Sequence, residues 1–254
     1  MRVQVLVAAM HQTDRSLPEK MNIRCDAIIG NQCDREEVDA FELNGNRITY
    51  VSTPLRGLAV NRNTALIRAD ADVCLLADDD MTYDDDYVET VRRTYAELPD
   101  ADVIIFNINE PKTTRYVTPK TTKIGWLNYL RYGSARISFR LSPIRENAIS
   151  FNQCFGAGSD RGFGEDNLFL TACLRAKLRV YAVPTAIATL TEERESTWFK
   201  GYDRRYLRNK GLLFRAISRR WYRLLCLQDA IRHRRKYAMG IFKAYKAMTK
   251  PDAE

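Results

Sequence analysis

Three consecutive carboxylates, Asp78, Asp79 and Asp80, follow directly on the apolar run Val73-Cys74-Leu75-Leu76-Ala77, so they sit where a buried strand gives way to a loop. Like charges at one point repel, and the cluster is costly unless a cation or a set of donors compensates. A hard divalent ion is one such compensation, since Mg2+ or Mn2+ takes oxygen ligands from one or two carboxylates plus substrate phosphates. The competing reading is that these acids merely charge the start of the next helix, where negative groups are favoured. For the neighbouring Asp84, Asp85 and Asp86 that second reading is the better one.

A second acidic pair, Glu165-Asp166, lies some 85 residues further on, behind the glycine-rich stretch Phe155-Gly156-Ala157-Gly158 and Gly162-Phe163-Gly164. Glycines permit close backbone approach to a ligand. The pair opens a segment in which Leu168, Phe169, Ala172 and Cys173 recur at helical spacing, which puts both acids on the first turn of a helix. A carboxylate held there can take the proton of an attacking hydroxyl, the work of a general base. Taken alone, acids at a helix start are more often a cap.

Both acidic sites need elements to hold them. Val- and Ile-rich runs at 3–9, 27–30, 48–52, 73–77 and 103–108 alternate with segments at 57–69 and 85–98 whose apolar residues follow the helical repeat. That alternation predicts an α/β domain with a mostly parallel central sheet flanked by helices. In such sheets ligands gather at the carboxyl ends of the strands. Residues 111–145 read as a mixture of loop, helix and short strand. A helix at 165–177 and a strand at 179–184 follow, the strand ending at Pro184 as an edge or terminal strand does.

The order of strand, Asp-rich loop, middle region, glycine-rich loop and Glu-Asp helix resembles the family 2 glycosyltransferases of the GT-A fold, specifically their bacterial polysaccharide-biosynthesis branch, over residues 1–200. The resemblance takes in Gly57-Leu58-Ala59-Val60-Asn61-Arg62-Asn63-Thr64-Ala65-Leu66, which looks like the family's Arg-Asn segment ahead of the acidic strand. It implies a GT-A catalytic domain at 1–197 that moves a sugar, with inversion, from a nucleotide diphosphate to a hydroxyl of a glycan or polyprenyl-linked acceptor. UDP is the favoured nucleotide.

Carried over residue by residue, Asp78 and Asp80 match the outer positions of the family's Asp-x-Asp motif. Asp78 is then expected near the ribose, Asp80 and Asp78 on Mn2+ or Mg2+, and Asp79 on the donor between them. Asp166 matches the base, with Glu165 supporting it or contacting the acceptor. Ala8, His11, Asn31 and Arg62 are expected beside the nucleotide, with a plain loop histidine an equally good account of His11. Two departures stand out: the first strand ends Ala8-Ala9-Met10-His11-Gln12 where the family usually has Pro-Thr-Tyr-Asn, and the second ends Gly30-Asn31-Gln32-Cys33-Asp34 where it usually has a pair of acids. The Asn31 amide still offers donors and an acceptor to a uracil edge.

The net charge of +8 is unevenly spread: residues 1–197 carry 24 Lys and Arg against 28 Asp and Glu, and residues 198–254 carry 16 against 4. A mildly acidic body therefore bears a basic, mainly helical C-terminal extension. Its arginines interleave with leucines, Trp221 and Tyr222, a pattern that suits an anionic membrane surface. The same stripe could instead pack on the body. Nucleic acid is disfavoured by the acidic body. Just ahead, Trp198 and Lys200 are candidates for an acceptor-holding or lid segment, Trp198 stacking on a sugar and Lys200 near the diphosphate; a plain connector is the alternative. Six scattered cysteines without a CxxC pair indicate neither a zinc site nor a disulfide framework. With no apolar run long enough to span a bilayer and no leader pattern after Met1, the expected place is the cytoplasm, peripherally on the inner membrane face.

Two other functions compete. A sugar nucleotidyltransferase also uses carboxylates and a metal, but it usually needs a glycine-rich basic loop after the first strand, and residues 10–17 are neither. A GT-A-like scaffold that has lost catalysis and binds anionic membrane or nucleic acid is opposed by the intact Asp78, Asp80 and Asp166.

Overall fold

The Val- and Ile-rich runs form the strands expected of them. In the computed structural model, which describes residues 1–110, 116–190 and 201–250, the strands are β1 (Val3–Met10), β2 (Asp26–Gln32), β3 (Glu37–Leu43), β4 (Asn46–Thr53), β5 (Val73–Asp78), β6 (Met81–Tyr83), β7 (Val103–Asn109), β8 (Thr122–Ile124), β9 (Ile137–Arg140) and β10 (Val180–Leu190). They build one sheet in the order β3-β4-β2-β1-β5-β9-β7-β10-β6, with β8 against β10. The ladders β4-β2-β1-β5 and β7-β10 are parallel. Antiparallel β3, β6 and β8 lie towards the edges, and β9 joins the two parallel halves. β1 and β5 are covered on both faces, which is why they read as unbroken apolar runs and not as alternation.

Helices α1 (Leu17–Lys20), α2 (Leu58–Leu66), α3 (Tyr87–Glu97), α4 (Leu141–Glu146) and α5 (Glu165–Arg175) belong to this body. Tyr87, Val91 and Tyr95 of α3 pack into one core cluster. Ala59, Ala65 and Leu66 of α2 join Phe169, Leu170 and Cys173 of α5 in another. One sequence expectation needs correction. β10 does not stop at Pro184 and is not an edge strand: it runs to Leu190 between β7 and β6, and the register shifts between Ala182 and Ala186 take up the missing proline donor. The mixed region at 111–145 supplies β9, a strand of the sheet interior whose Ser138 is fully buried because its hydroxyl bonds Tyr95 Oη at 2.9 Å and the Ile104 carbonyl at 2.8 Å.

The extension forms α6 (Arg204–Ile217), α7 (Tyr222–Arg232), α8 (Arg234–Tyr237) and α9 (Ile241–Thr249). Its apolar side, Leu207, Leu213, Phe214 and Ile217 of α6 with Cys226, Ala230, Ala244 and Met248, forms a third cluster that closes over Phe155, Phe163 and Leu168 of the body. Among the described residues no helix is long and apolar enough to cross a membrane.

Candidate active site

Helix α2 holds the site together through three successive polar side chains. Asn61 Nδ2 donates to the Ala9 carbonyl at 3.0 Å and the Gly30 carbonyl at 2.9 Å, fixing the ends of β1 and β2. Asn63 exchanges two bonds with the Phe151 backbone, each 2.8 Å. Between them Arg62, 2% exposed, donates from Nη2 to Asp78 Oδ1 at 2.7 Å and from Nη1 to Glu165 Oε1 at 2.8 Å. Burial pulls a guanidinium's pKa down, but the charges of Asp78 and Glu165 more than reverse that, and Arg62 ends up raised. The sequence suggested a place for Arg62 beside the nucleotide; in this structure both Nη atoms tie the acidic strand end to the Glu-Asp helix.

Four strand ends surround this clamp. Asp78 closes β5 and faces Ala8 of β1 in register. Asp79 and Asp80, half-buried, form the turn into β6, and Asp79 Oδ2 accepts from Met10 N at 3.4 Å. His11, exposed and at φ 55°, leaves β1 with its N–H on the Gln32 carbonyl. Asn31 is 1% exposed, and its amide is already engaged: Oδ1 accepts from Gln12 N at 2.9 Å, while Nδ2 donates to the Gln12 carbonyl at 3.0 Å and Ser52 Oγ at 3.1 Å. Its role in this structure is to shape the loop after β1, not to offer an open edge to a base. Gln12 and Ser52 were missed in the sequence because nothing marks a lone amide or hydroxyl as a loop partner.

Glu165 and Asp166 open α5 as expected, but they point to different tasks. Glu165 is buried against Arg62, so the supporting role fits it and the acceptor-contacting role does not. Asp166 is partly exposed; its Oδ1 accepts from Asn167 N at 2.6 Å and its Oδ2 lies toward Gly133. Loss of hydration, reinforced by the charge of Glu165, pushes the Asp166 carboxyl up to about 7. A carboxylate with that proton affinity is a competent base near neutral pH.

The glycines ahead of α5 serve the protein's own packing. A Cβ on Gly158 (φ +81°) would lie 3.1 Å from Gly57 Cα, where the loop seats on the start of α2, and Leu58 N bonds the Ala157 carbonyl at 2.8 Å. A Cβ on Gly164 (φ +102°) would lie 2.7 Å from Leu213 Cδ1 of α6. Phe163 also stacks on Tyr206 at 5.0 Å between centroids. The basic extension is thus built against the loop that positions Asp166. Trp198 and Lys200, the other expected site residues, lie outside the described residues.

The donor set at the end of β5 is made of carboxylate oxygens only, and among the described residues no three His, Cys, Asp or Glu side chains are arranged to hold a metal by themselves. Asp78 also shares one oxygen with Arg62. These residues fit a hard divalent ion in partnership with phosphate oxygens, not a cage supplied by protein alone.

Comparison with known proteins places the chain. The model of the family described as "Glycosyl transferase family 2" matches residues 30–163. No curated protein matches. Among solved structures, the crystal structure of S. aureus TarS 1-349 in complex with UDP-GlcNAc superposes with a TM-score of 0.65 at 13% identity, over 98% of this chain and 90% of that one. TarS 1-349 in complex with UDP gives 0.63 at 14% identity with the same coverage. Against another S. aureus TarS structure the TM-score is 0.64 at 14% identity, and this chain covers 55% of that one. At these identities the likeness is one of fold.

Proposed function

This chain belongs to glycosyl transferase family 2, and on that premise we propose that it moves a sugar from a UDP-sugar to a hydroxyl of a glycan or lipid-linked acceptor in cell-surface polysaccharide synthesis, inverting the anomeric centre. The observation that carries the reading is the Arg62 fork, which locks the donor-side acid Asp78 and the acceptor-side helix of Glu165 and Asp166 into one frame. UDP is favoured because two similarly folded TarS structures hold UDP-GlcNAc and UDP.

In this mechanism Asp166 takes the proton of the acceptor hydroxyl as its oxygen attacks the sugar carbon from the face opposite the nucleotide, and a single displacement inverts that carbon. Its raised proton affinity makes the transfer favourable near neutral pH. Glu165, held by Arg62, sets the direction of the first turn of α5 and so of Asp166. A Mn2+ or Mg2+ ion held by Asp80 and Asp78 with the diphosphate would supply charge stabilisation for the leaving nucleotide. Asp79, Ala8 and His11 line the donor side at the strand ends.

The acceptor side is proposed to sit at an anionic membrane. Trp221, the N-cap of α7, and Leu224, Leu227 and Ile231 along it recur at helical spacing and are exposed, Trp221 at 54% and Leu224 at 57%. Arg219, Arg220 and Arg223, all exposed, flank that stripe. An exposed apolar face rimmed by arginine suits the interface of an anionic bilayer.

The donor reading is tested by calorimetric titration with UDP, GDP and CDP, with and without Mn2+, on the intact chain and on Asp80→Ala. Metal-dependent binding of UDP that the variant loses is the expected result. A folded protein that binds none of the three nucleotides in the presence of metal would sink the proposal.

A further inference from the structure

Helices α6 and α9 cross so closely that Gly211 has no room for a side chain: a Cβ there would lie 1.9 Å from the Met248 carbonyl oxygen. The pair frames a cleft of about 580 Å3, lined by Arg204, Arg205 and Arg208 from α6 and by Lys243, Lys246 and Lys250 from α9 and its C-terminal cap. The spacing within each set keeps its three cations on one side of the helix. Among the described residues that line the cleft none is acidic. The acids of the extension that the structure describes are occupied elsewhere: Asp203 accepts from Tyr206 N at 2.7 Å to cap α6, and Asp229 faces Lys210, His233 and Tyr237.

A solvated basic helix face is convex and usually interleaved with acids. Here six cations, with no acid beside them among the described residues, line a concavity whose volume falls in the range of small-molecule sites. Convergent positive charge in a cleft focuses the field and draws in an anion. Guanidinium and ammonium groups together are the usual partners of phosphate oxygens. The rest of the described lining is Met239 and Ala247, so among the described residues no aromatic platform is offered for stacking a nucleobase, unlike a single-stranded nucleic-acid groove.

We propose that the α6–α9 cleft is a binding site for a run of phosphate groups, carried either by a soluble oligophosphate or phosphodiester chain or by phosphorylated lipid headgroups. The site lies on the helix whose Leu213 and Tyr206 abut Gly164 and Phe163 ahead of Asp166. Its occupant is therefore held one helix away from the loop that positions the proposed base. The inference goes beyond sugar transfer, and its readout is binding alone, so it stands or falls separately from the donor reading.

The test titrates the full chain with inorganic tripolyphosphate, comparing Lys243→Glu/Lys246→Glu with Arg232→Glu/Arg235→Glu. All four positions are exposed, and both doubles make the same change of charge within the extension, but only the first lies in the cleft. A cation beside an anionic partner contributes about 1 kcal/mol, a factor of roughly five, so the cleft double is expected to weaken binding by about 25-fold or more and the control by less than about fivefold. Equal losses in the two doubles, or no measurable binding by the unaltered protein, would overturn the proposal. Sedimentation with phosphatidylcholine vesicles containing phosphatidic acid then identifies the source. Tripolyphosphate that displaces the protein from these vesicles assigns the cleft to lipid headgroups; vesicle binding that tripolyphosphate leaves intact assigns it to phosphate away from the membrane. Either result upholds the site.

Discussion

Replacing Arg62 by methionine keeps the side chain's apolar stem while removing the guanidinium charge that Glu165 and Asp78 share. The two carboxylates stand to lose very different amounts. Glu165 is 7% exposed in its side chain and its ion pair to Arg62 is 2.8 Å, so the variant leaves a buried carboxylate without its cation. Breaking a buried pair from one side costs about 3–5 kcal/mol. Asp78 is 37% exposed and can rehydrate, so its share is at most about 1 kcal/mol. Urea unfolding of Arg62→Met is thus expected to show a loss of about 3–5 kcal/mol, a large part of the 5–15 kcal/mol of a typical domain. Because that variant could sit near the edge of folding, Arg62→Lys is measured beside it; a lysine keeps one cation but cannot fork to both acids, and its loss falls between. Double-mutant cycles apportion the effect. Arg62→Met with Glu165→Gln leaves neither charge buried, and its loss should be about 2 kcal/mol or more below the sum of the singles, whereas the cycle with Asp78→Asn should couple by less than about 1 kcal/mol. An Arg62→Met loss under about 1 kcal/mol, or stronger coupling to Asp78 than to Glu165, would refute the view that Arg62 is principally the counter-charge of Glu165.

Asp166→Asn keeps the shape of the α5 start and removes the base; transfer is expected to fall about 10^2- to 10^4-fold with UDP affinity within about twofold of the parent, read by coupled product assay and calorimetry. Ionised Asp166 is the active form, so kcat/KM should rise with pH and level off above an apparent pKa near 7; a profile flat from pH 5 to 8 would exclude it as the base. The same raised pKa makes ionisation unfavourable in the fold: its penalty is absent below the ordinary carboxylate range, grows as pH climbs toward 7, and persists above. Asp166→Asn escapes that penalty, so its Tm advantage over the parent should be larger at pH 8 than at pH 5. Gly164→Ala combines a strained φ of +102° with a Cβ 2.7 Å from Leu213 and should cost about 1–3 kcal/mol in urea unfolding, part of which Leu213→Ala relieves in the double variant.

How far the molecule could be read in advance depended on whether a residue's task is local. The strands β1, β2, β5 and β7 were legible because burial on both faces makes them largely apolar runs, β4 showed as the shorter stretch 48–52, and the two acidic motifs stood out because clustered carboxylates are costly unless something compensates them. β9 was not, since a four-residue strand held by Ser138 hydroxyl bonds carries no periodicity to find. Arg62 was singled out as a partner of the nucleotide, and the structure pairs it with two carboxylates. A cation beside an acidic strand end suits phosphate as well as carboxylate, and only the docking of α5, 103 residues away along the chain, decides between them. The glycines repeat that lesson: their freedom was visible in the sequence, but Gly158 and Gly164 use it against Gly57 and Leu213. The extension adds a further consequence. Its cluster reaches Phe155, Phe163 and Leu168 on either side of Gly164, so whatever loads the basic cleft acts on α6, the helix that bears directly on the start of α5. Substitutions in α6 that leave every carboxylate untouched are therefore expected to disturb the alignment of Asp166 before they disturb the sheet.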